Sequence, residues 1–197
     1  MGVSNVRASR VLLHVALMTL SLAVIGLTIK GRDYLTARRR EVAELIPGGT
    51  LEAKSLVGVG VVLIITCIQI CILAVLNSIC ILKDKVSEPI RGWCPPGLIT
   101  KSMALTFVQL TAINIAQTTY TATRSARVSS ISLADDVVQW LVVASGRSLF
   151  FRDIVVVVDY TVISWIIWLL LIIAICVESS KYSRPEYDNT EKEQSSK

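Results

Sequence analysis

Four long apolar segments, residues 11–29, 55–82, 98–120 and 154–177, constrain this chain more than any other feature. Each is long enough to cross a hydrocarbon layer about 30 Å thick as a helix, which takes about 20 residues. Backbone groups facing lipid must be satisfied within the spanning structure, so only helices and closed barrels qualify. The segments lack the period-two alternation of barrel strands. The expected fold is all-α: a four-helix transmembrane bundle over residues 1–177, followed by a polar tail, 178–197. That tail, "ESSKYSRPEYDNTEKEQSSK", has mixed charge and no apolar period, and is expected to be disordered. The first segment is followed by the bulky, basic Lys30-Gly31-Arg32 rather than by small residues, so it is counted as a span and not as a cleaved signal.

A net charge of +5 raises the question of nucleic acid, but the basic residues lie in short pieces beside the spans. Lipid headgroups are their expected partners, and no nucleic-acid contact is expected. The 20 Lys and Arg divide evenly between the two sides of the membrane, so charge does not orient the chain. Both termini are placed in the cytoplasm, which gathers Cys80, Cys94 and Cys176 at one face and leaves the charged tail untranslocated. The membrane is expected to be the plasma membrane or an endomembrane.

Three of the five cysteines fall in "TCIQICILAVLNSIC", residues 66–80. On a helix Cys67, Cys71, Ala74 and Ser78 share one line, with Gly60 on its extension. Small side chains at that spacing let helices approach closely, which is how spans associate in lipid. Thr19, Ala23 and Gly26 offer a matching seam on the first span. Cys80 points the other way, and a zinc site needs four ligands, so no metal or other cofactor is expected. The boundary cysteines Cys80, Cys94 and Cys176 are candidates for reversible lipidation.

The polar residues within the spans are His14, Gln69, Asn77, Gln109, Asn114, Gln117 and Asp159. Side-chain amides in hydrocarbon need partners, so the stripe Ser102, Thr106, Gln109, Gln117 on the third span is expected to face inward. Because successive spans alternate in direction, His14 and Asn77 share one leaflet, and Gln117 and Asp159 share the other. An ionisable residue inside a membrane is a functional candidate. For Asp159 the expected role is structural, through hydrogen bonds or pairing with Arg124, Arg147 or Arg152; the alternatives are an ion or proton path and a span that begins only after it.

The first loop shares an apolar face of Tyr34, Leu35, Val42, Leu45 and Ile46 before Pro47-Gly48-Gly49. It is expected to be a short helix lying on the bilayer, with Arg38, Arg39 and Arg40 on a solvated, salt-paired face; contact with lipid headgroups is the alternative for the three arginines. The third loop has a helix start at Ser132 and Asp135 and apolar residues through Ala144, which predicts a second short helix, interfacial or re-entrant, with a lid packed across the bundle mouth as the alternative.

Arg7 to Leu27, "RASRVLLHVALMTLSLAVIGL", places two arginines before an apolar run closing on Gly-Leu, and resembles the first span of MARVEL-type tetraspan proteins. Claudin-like proteins share the four-span layout, but the first loop here lacks their Trp and paired cysteines. The MARVEL resemblance implies a non-enzymatic protein that organises membrane domains or protein assemblies, with lipids, further copies of itself or other membrane proteins as partners. The alternative is a channel or transporter auxiliary subunit in which Gln109, Asn114, Gln117 and Asp159 line a polar path. The chain contains no HExxH, GxSxG or phosphate-binding glycine loop, and no enzymatic activity is expected.

Overall fold

The computed structural model describes residues 3–45, 49–52, 54–83, 98–123, 127–130, 134, 136–137, 140 and 151–182. Its main elements are α1 (Val3–Leu45), β1 (Gly49–Glu52), α2 (Lys54–Lys83), α3 (Leu98–Thr123), β2 (Arg127–Ser130), a 3₁₀ turn (Phe151–Asp153) and α4 (Val155–Tyr182). All four α-helices are long and apolar enough to cross a membrane. They run up, down, up, down; α1 packs against α2 and α4, and α3 against the same two. The fold is the expected four-helix bundle.

Burial along the helices follows a heptad. On α1 the buried positions are His14, Leu17, Ser21, Val24, Thr28, Gly31 and Leu35, alternating steps of three and four. On α4, Val157, Tyr160, Ser164, Ile167, Leu171, Ala174 and Glu178 do the same. Steps of three and four keep one seam against the neighbour, the spacing of left-handed coiled coils. Hydropathy hides this pattern, because the lipid-facing positions are as apolar as the core. Leu17, Leu63, Ile70, Leu110, Ile167 and Leu171 are almost wholly buried and form the apolar centre.

The helix expected in the first loop is present, but it is the continuation of α1 rather than a separate piece on the bilayer surface. Leu35 explains the difference: it is buried in the same apolar cluster as Leu51 on β1, Val128 on β2 and Phe151 in the 3₁₀ turn. Burying that face against protein holds the segment upright. The strands pair antiparallel, with Leu51 opposite Val128 and Thr50 opposite Ser129. The result is a small cap at one end of the bundle, built from the first and third loops. No alternating pattern in the sequence marks this sheet. Each strand has four residues and a single buried apolar side chain, too little for a period to register.

Of the helix expected in the third loop, Asp136, Val137 and Trp140 are helical and exposed, and the Val137 N–H donates to the Ala134 carbonyl at 3.0 Å; its other residues lie outside the described part. α4 continues through Glu178 to Tyr182, so the start of the expected tail is helical. Residues 183–197 lie outside the described part.

Candidate functional site

The polar side chains inside the spans form one recurring device. A threonine hydroxyl donates to the carbonyl four residues back on its own helix, which leaves its oxygen free to accept from the next helix. On α2 and α3 this occurs twice with reciprocal sense. Gln109 Nε2 donates to Thr66 Oγ1 at 2.8 Å while Thr66 Oγ1 donates to the Val62 carbonyl at 2.9 Å. Gln69 Nε2 donates to Thr106 Oγ1 at 2.8 Å while Thr106 Oγ1 donates to the Ser102 carbonyl at 2.8 Å. The source is a repeated local pattern: "TCIQ" at residues 66–69 and "TFVQ" at 106–109, met antiparallel.

α3 is joined to α4 in the same way. Gln117 Nε2 donates to Thr161 Oγ1 at 2.7 Å, and Trp168 Nε1 to Thr111 Oγ1 at 2.7 Å; both hydroxyls donate back to their own helices. Trp165 Nε1 donates to Thr118 Oγ1 at 3.0 Å, and Asn114 Nδ2 to the Ser164 carbonyl at 3.2 Å. The two tryptophans stack edge-on to one another and both reach α3. Asn114 and Gln117 are buried, and their carbonyl oxygens have no partner among the described residues. Such interhelical bonds contribute about 0.6 kcal/mol each on average. Their number, more than the strength of any one, holds the polar third span in place.

A second cluster closes the opposite end of the bundle from the cap. Glu178 on α4 accepts from Arg10 of α1 at both carboxylate oxygens: Arg10 Nε lies 3.1 Å from Oε1, and Nη2 meets Oε2. His14 Nε2 lies 3.6 Å from Oε1 and 2.6 Å from Asn77 Nδ2 of α2. Three helices thus meet on one carboxylate, whose side chain is 9% exposed, against 13% for Arg10 and 1% for His14. A small cavity lined by His14, Leu17, Ile70, Leu73, Ala74, Met103 and Leu171 lies beside this cluster. His14 and Asn77 do share one level of the membrane. Glu178, counted with the tail in the sequence reading, is the residue that unites them. An acidic residue one heptad step beyond Ala174 is the signal that marks it.

Asp159 stands apart from both clusters. It is exposed on α4. A Cβ at Gly31 would lie 3.6 Å from Tyr160 Cε1 and 3.8 Å from Val156 Cγ1, so Asp159 is level with Lys30 and Gly31, where the apolar run of α1 ends. It therefore sits at the membrane boundary, outside the network of Gln109, Asn114 and Gln117. The side chains of Arg124, Arg147 and Arg152, its expected partners, lie outside the described part.

The α2 seam does face α1: Gly60, Cys67 and Ala74 are buried and Cys71 and Ser78 half-buried. Cys71 Sγ lies 3.8 Å from the Met18 carbonyl, and a Cβ on Gly60 would approach Thr28 Cγ2 to 3.2 Å. The matching seam on α1 is a correction. Thr19, Ala23 and Gly26 point outward, and His14, Met18 and Thr28 meet α2 instead. Thr19 tolerates the lipid side because its hydroxyl donates to the Val15 carbonyl at 2.8 Å. α2 and α4 bury equal shares of their apolar windows.

Of the basic run Arg38, Arg39 and Arg40, Arg38 makes the expected salt pair, its Nη1 donating to Glu41 Oε2 at 2.8 Å. Arg38 also donates to Tyr34 of its own helix, while Arg39 Nε reaches the cap, donating to the Leu51 carbonyl at 3.1 Å. Arg40 is exposed. Cys176 is exposed and Cys80 half-buried, both near the Glu178 end; Cys94 lies outside the described part. Among the described residues no group of three His, Cys, Asp or Glu is placed to hold a metal ion.

Among known proteins, no family model, no curated sequence and no solved structure matches the chain. By its four apolar helices it is a multi-pass integral membrane protein.

Proposed function

We propose that the protein is a non-enzymatic organiser of membrane domains or protein assemblies, in the manner implied by its resemblance to MARVEL-type tetraspan proteins. The observation that carries this reading is how the intramembrane polar groups are allocated. Gln69 and Gln109 are bonded between α2 and α3, and Asn114 and Gln117 between α3 and α4. These donors bind helix to helix rather than facing a path, while Asp159 lies outward at the boundary. Such a bundle presents a fixed outer surface to lipid and to other membrane proteins, and a cap for contacts beyond the headgroups. Its partners in this reading are lipids, further copies of itself or other membrane proteins.

Two measurements made together test it. Labelled protein in cells is expected to gather in patches with defined neighbours, and the same protein in planar bilayers is expected to carry no current. A conductance abolished by Asp159→Asn would replace this reading with the channel-subunit alternative.

A further inference from the structure

Among the described residues, three of the five buried side-chain atoms without a hydrogen-bond partner lie on α3: Asn114 Oδ1, Gln117 Oε1 and Thr121 Oγ1. Steps of three and four place these residues within about 60° of one another on the helix, over a rise of about 10 Å. The sense of each amide is fixed by its partner on α4. Asn114 Nδ2 donates to the Ser164 carbonyl, and Gln117 Nε2 donates to Thr161 Oγ1, whose own hydrogen goes to the Val157 carbonyl. In both residues the unpartnered atom is therefore the oxygen. Thr121 departs from the other buried threonines: Thr28, Thr66, Thr106 and Thr161 each donate to the carbonyl four residues back, and Thr121 does not.

The line runs from the cap into the bundle. Gln117 is bonded to Thr161, whose neighbour Tyr160 stands against Gly31, so it lies at the level of Lys30 and Asp159, the membrane boundary. Thr121 is about one turn further out, beneath the cap, and Asn114 about one turn deeper. Exposure falls in the same order, 8% for Thr121, 1% for Gln117 and 0% for Asn114. Below Asn114, Val24, Leu63, Leu110 and Ile167, one from each helix, are fully buried in the apolar centre. α3 carries no acidic residue and Asp159 is exposed, so the line offers neutral oxygens only. Buried oxygens of this kind are met by ordered water, each molecule bridging two to four polar groups.

We infer that the cap-side end of the bundle core is a water-binding vestibule. Water enters beneath the cap, donates to Thr121, Gln117 and Asn114 in turn, and stops at the apolar layer of Val24, Leu63, Leu110 and Ile167. A file closed at one end carries no current. The inference does not rest on the organising role: dry amides at Asn114 and Gln117 would remove the vestibule and leave membrane patches untouched, and loss of the patches would leave the water in place.

Water-edited solid-state NMR on the full chain in proteoliposomes tests it. Magnetisation is passed from water to the side-chain amide protons of Asn114 and Gln117, with Gln69 and Gln109, bonded between α2 and α3, as the internal reference. Transfer to Gln117 and Asn114 is expected to build up severalfold faster than transfer to Gln69 and Gln109. Equal rates at all four would overturn the inference. Carbonyl shifts of Asn114 and Gln117 that move when sodium is exchanged for potassium or choline would also overturn it, by making the occupant a cation. Thr121→Leu, which fills the entrance, is expected to slow transfer to both amides, and unslowed transfer would overturn entry from the cap. The unaltered chain decides occupancy whether or not that variant folds.

Discussion

Arg10 and Glu178 lie 168 residues apart in sequence and meet as a two-point ion pair between the first and last helices. Asn77 and His14 crowd the same carboxylate, so the pair is enclosed on the side away from the headgroups. Removing one partner of an enclosed pair leaves the other charge uncompensated. Glu178→Leu alone is expected to cost about 3 kcal/mol, the low end for such a loss. Arg10→Met combined with Glu178→Leu is expected to recover most of it. Reversible unfolding in mixed micelles measures both.

The reciprocal Gln–Thr pairs make a prediction about additivity. Thr66→Val and Gln109→Leu each break one bond, and the double variant breaks only the same one. Their coupling energy is expected to be about 0.6 kcal/mol, the average for bonds of this kind in lipid. Thr66→Val with Gln69→Leu removes one residue from each of the two bonds, so those losses are expected to add. A double-mutant cycle on the same unfolding assay distinguishes the two cases.

Gly58 and Gly60 stand two residues apart, on opposite sides of α2. A Cβ at Gly60 would press on Thr28, whereas one at Gly58 meets nothing within 4 Å. Gly60→Val is expected to destabilise by about 2 kcal/mol through overpacking. Gly58→Ala is expected to stabilise by up to about 1 kcal/mol through helix propensity. Equal effects at the two sites would contradict the packing of α1 on α2.

The cap is expected to loosen without the bundle. Leu35→Ala empties a site shared with Leu51, Val128 and Phe151, at a cost of about 2–4 kcal/mol confined to the cap. Hydrogen exchange at residues 49–52 and 127–130 is expected to accelerate, while mid-span amides of α2 and α3 keep their protection.

Span number and the shared level of His14 and Asn77 were legible in the sequence because length, hydropathy and alternating direction determine them. Which face of α1 turns inward was not. In lipid both faces are apolar, so the small residues Thr19, Ala23 and Gly26 competed with the heptad of His14, Ser21 and Thr28, and only packing separates them. Glu178 was passed over because a carboxylate just after an apolar run is usually solvated; its role needs Arg10, at the far end of the chain. The strands were hidden for the same reason: Leu51 and Val128 become a pair only when two distant loops meet.

α1 passes unbroken from Val3 to Leu45, without a proline, from the Glu178 cluster through the bilayer into the cap. One continuous backbone thus carries both Arg10 and His14 at one face and Leu35 at the other, so the two ends of the bundle are built on the same helix.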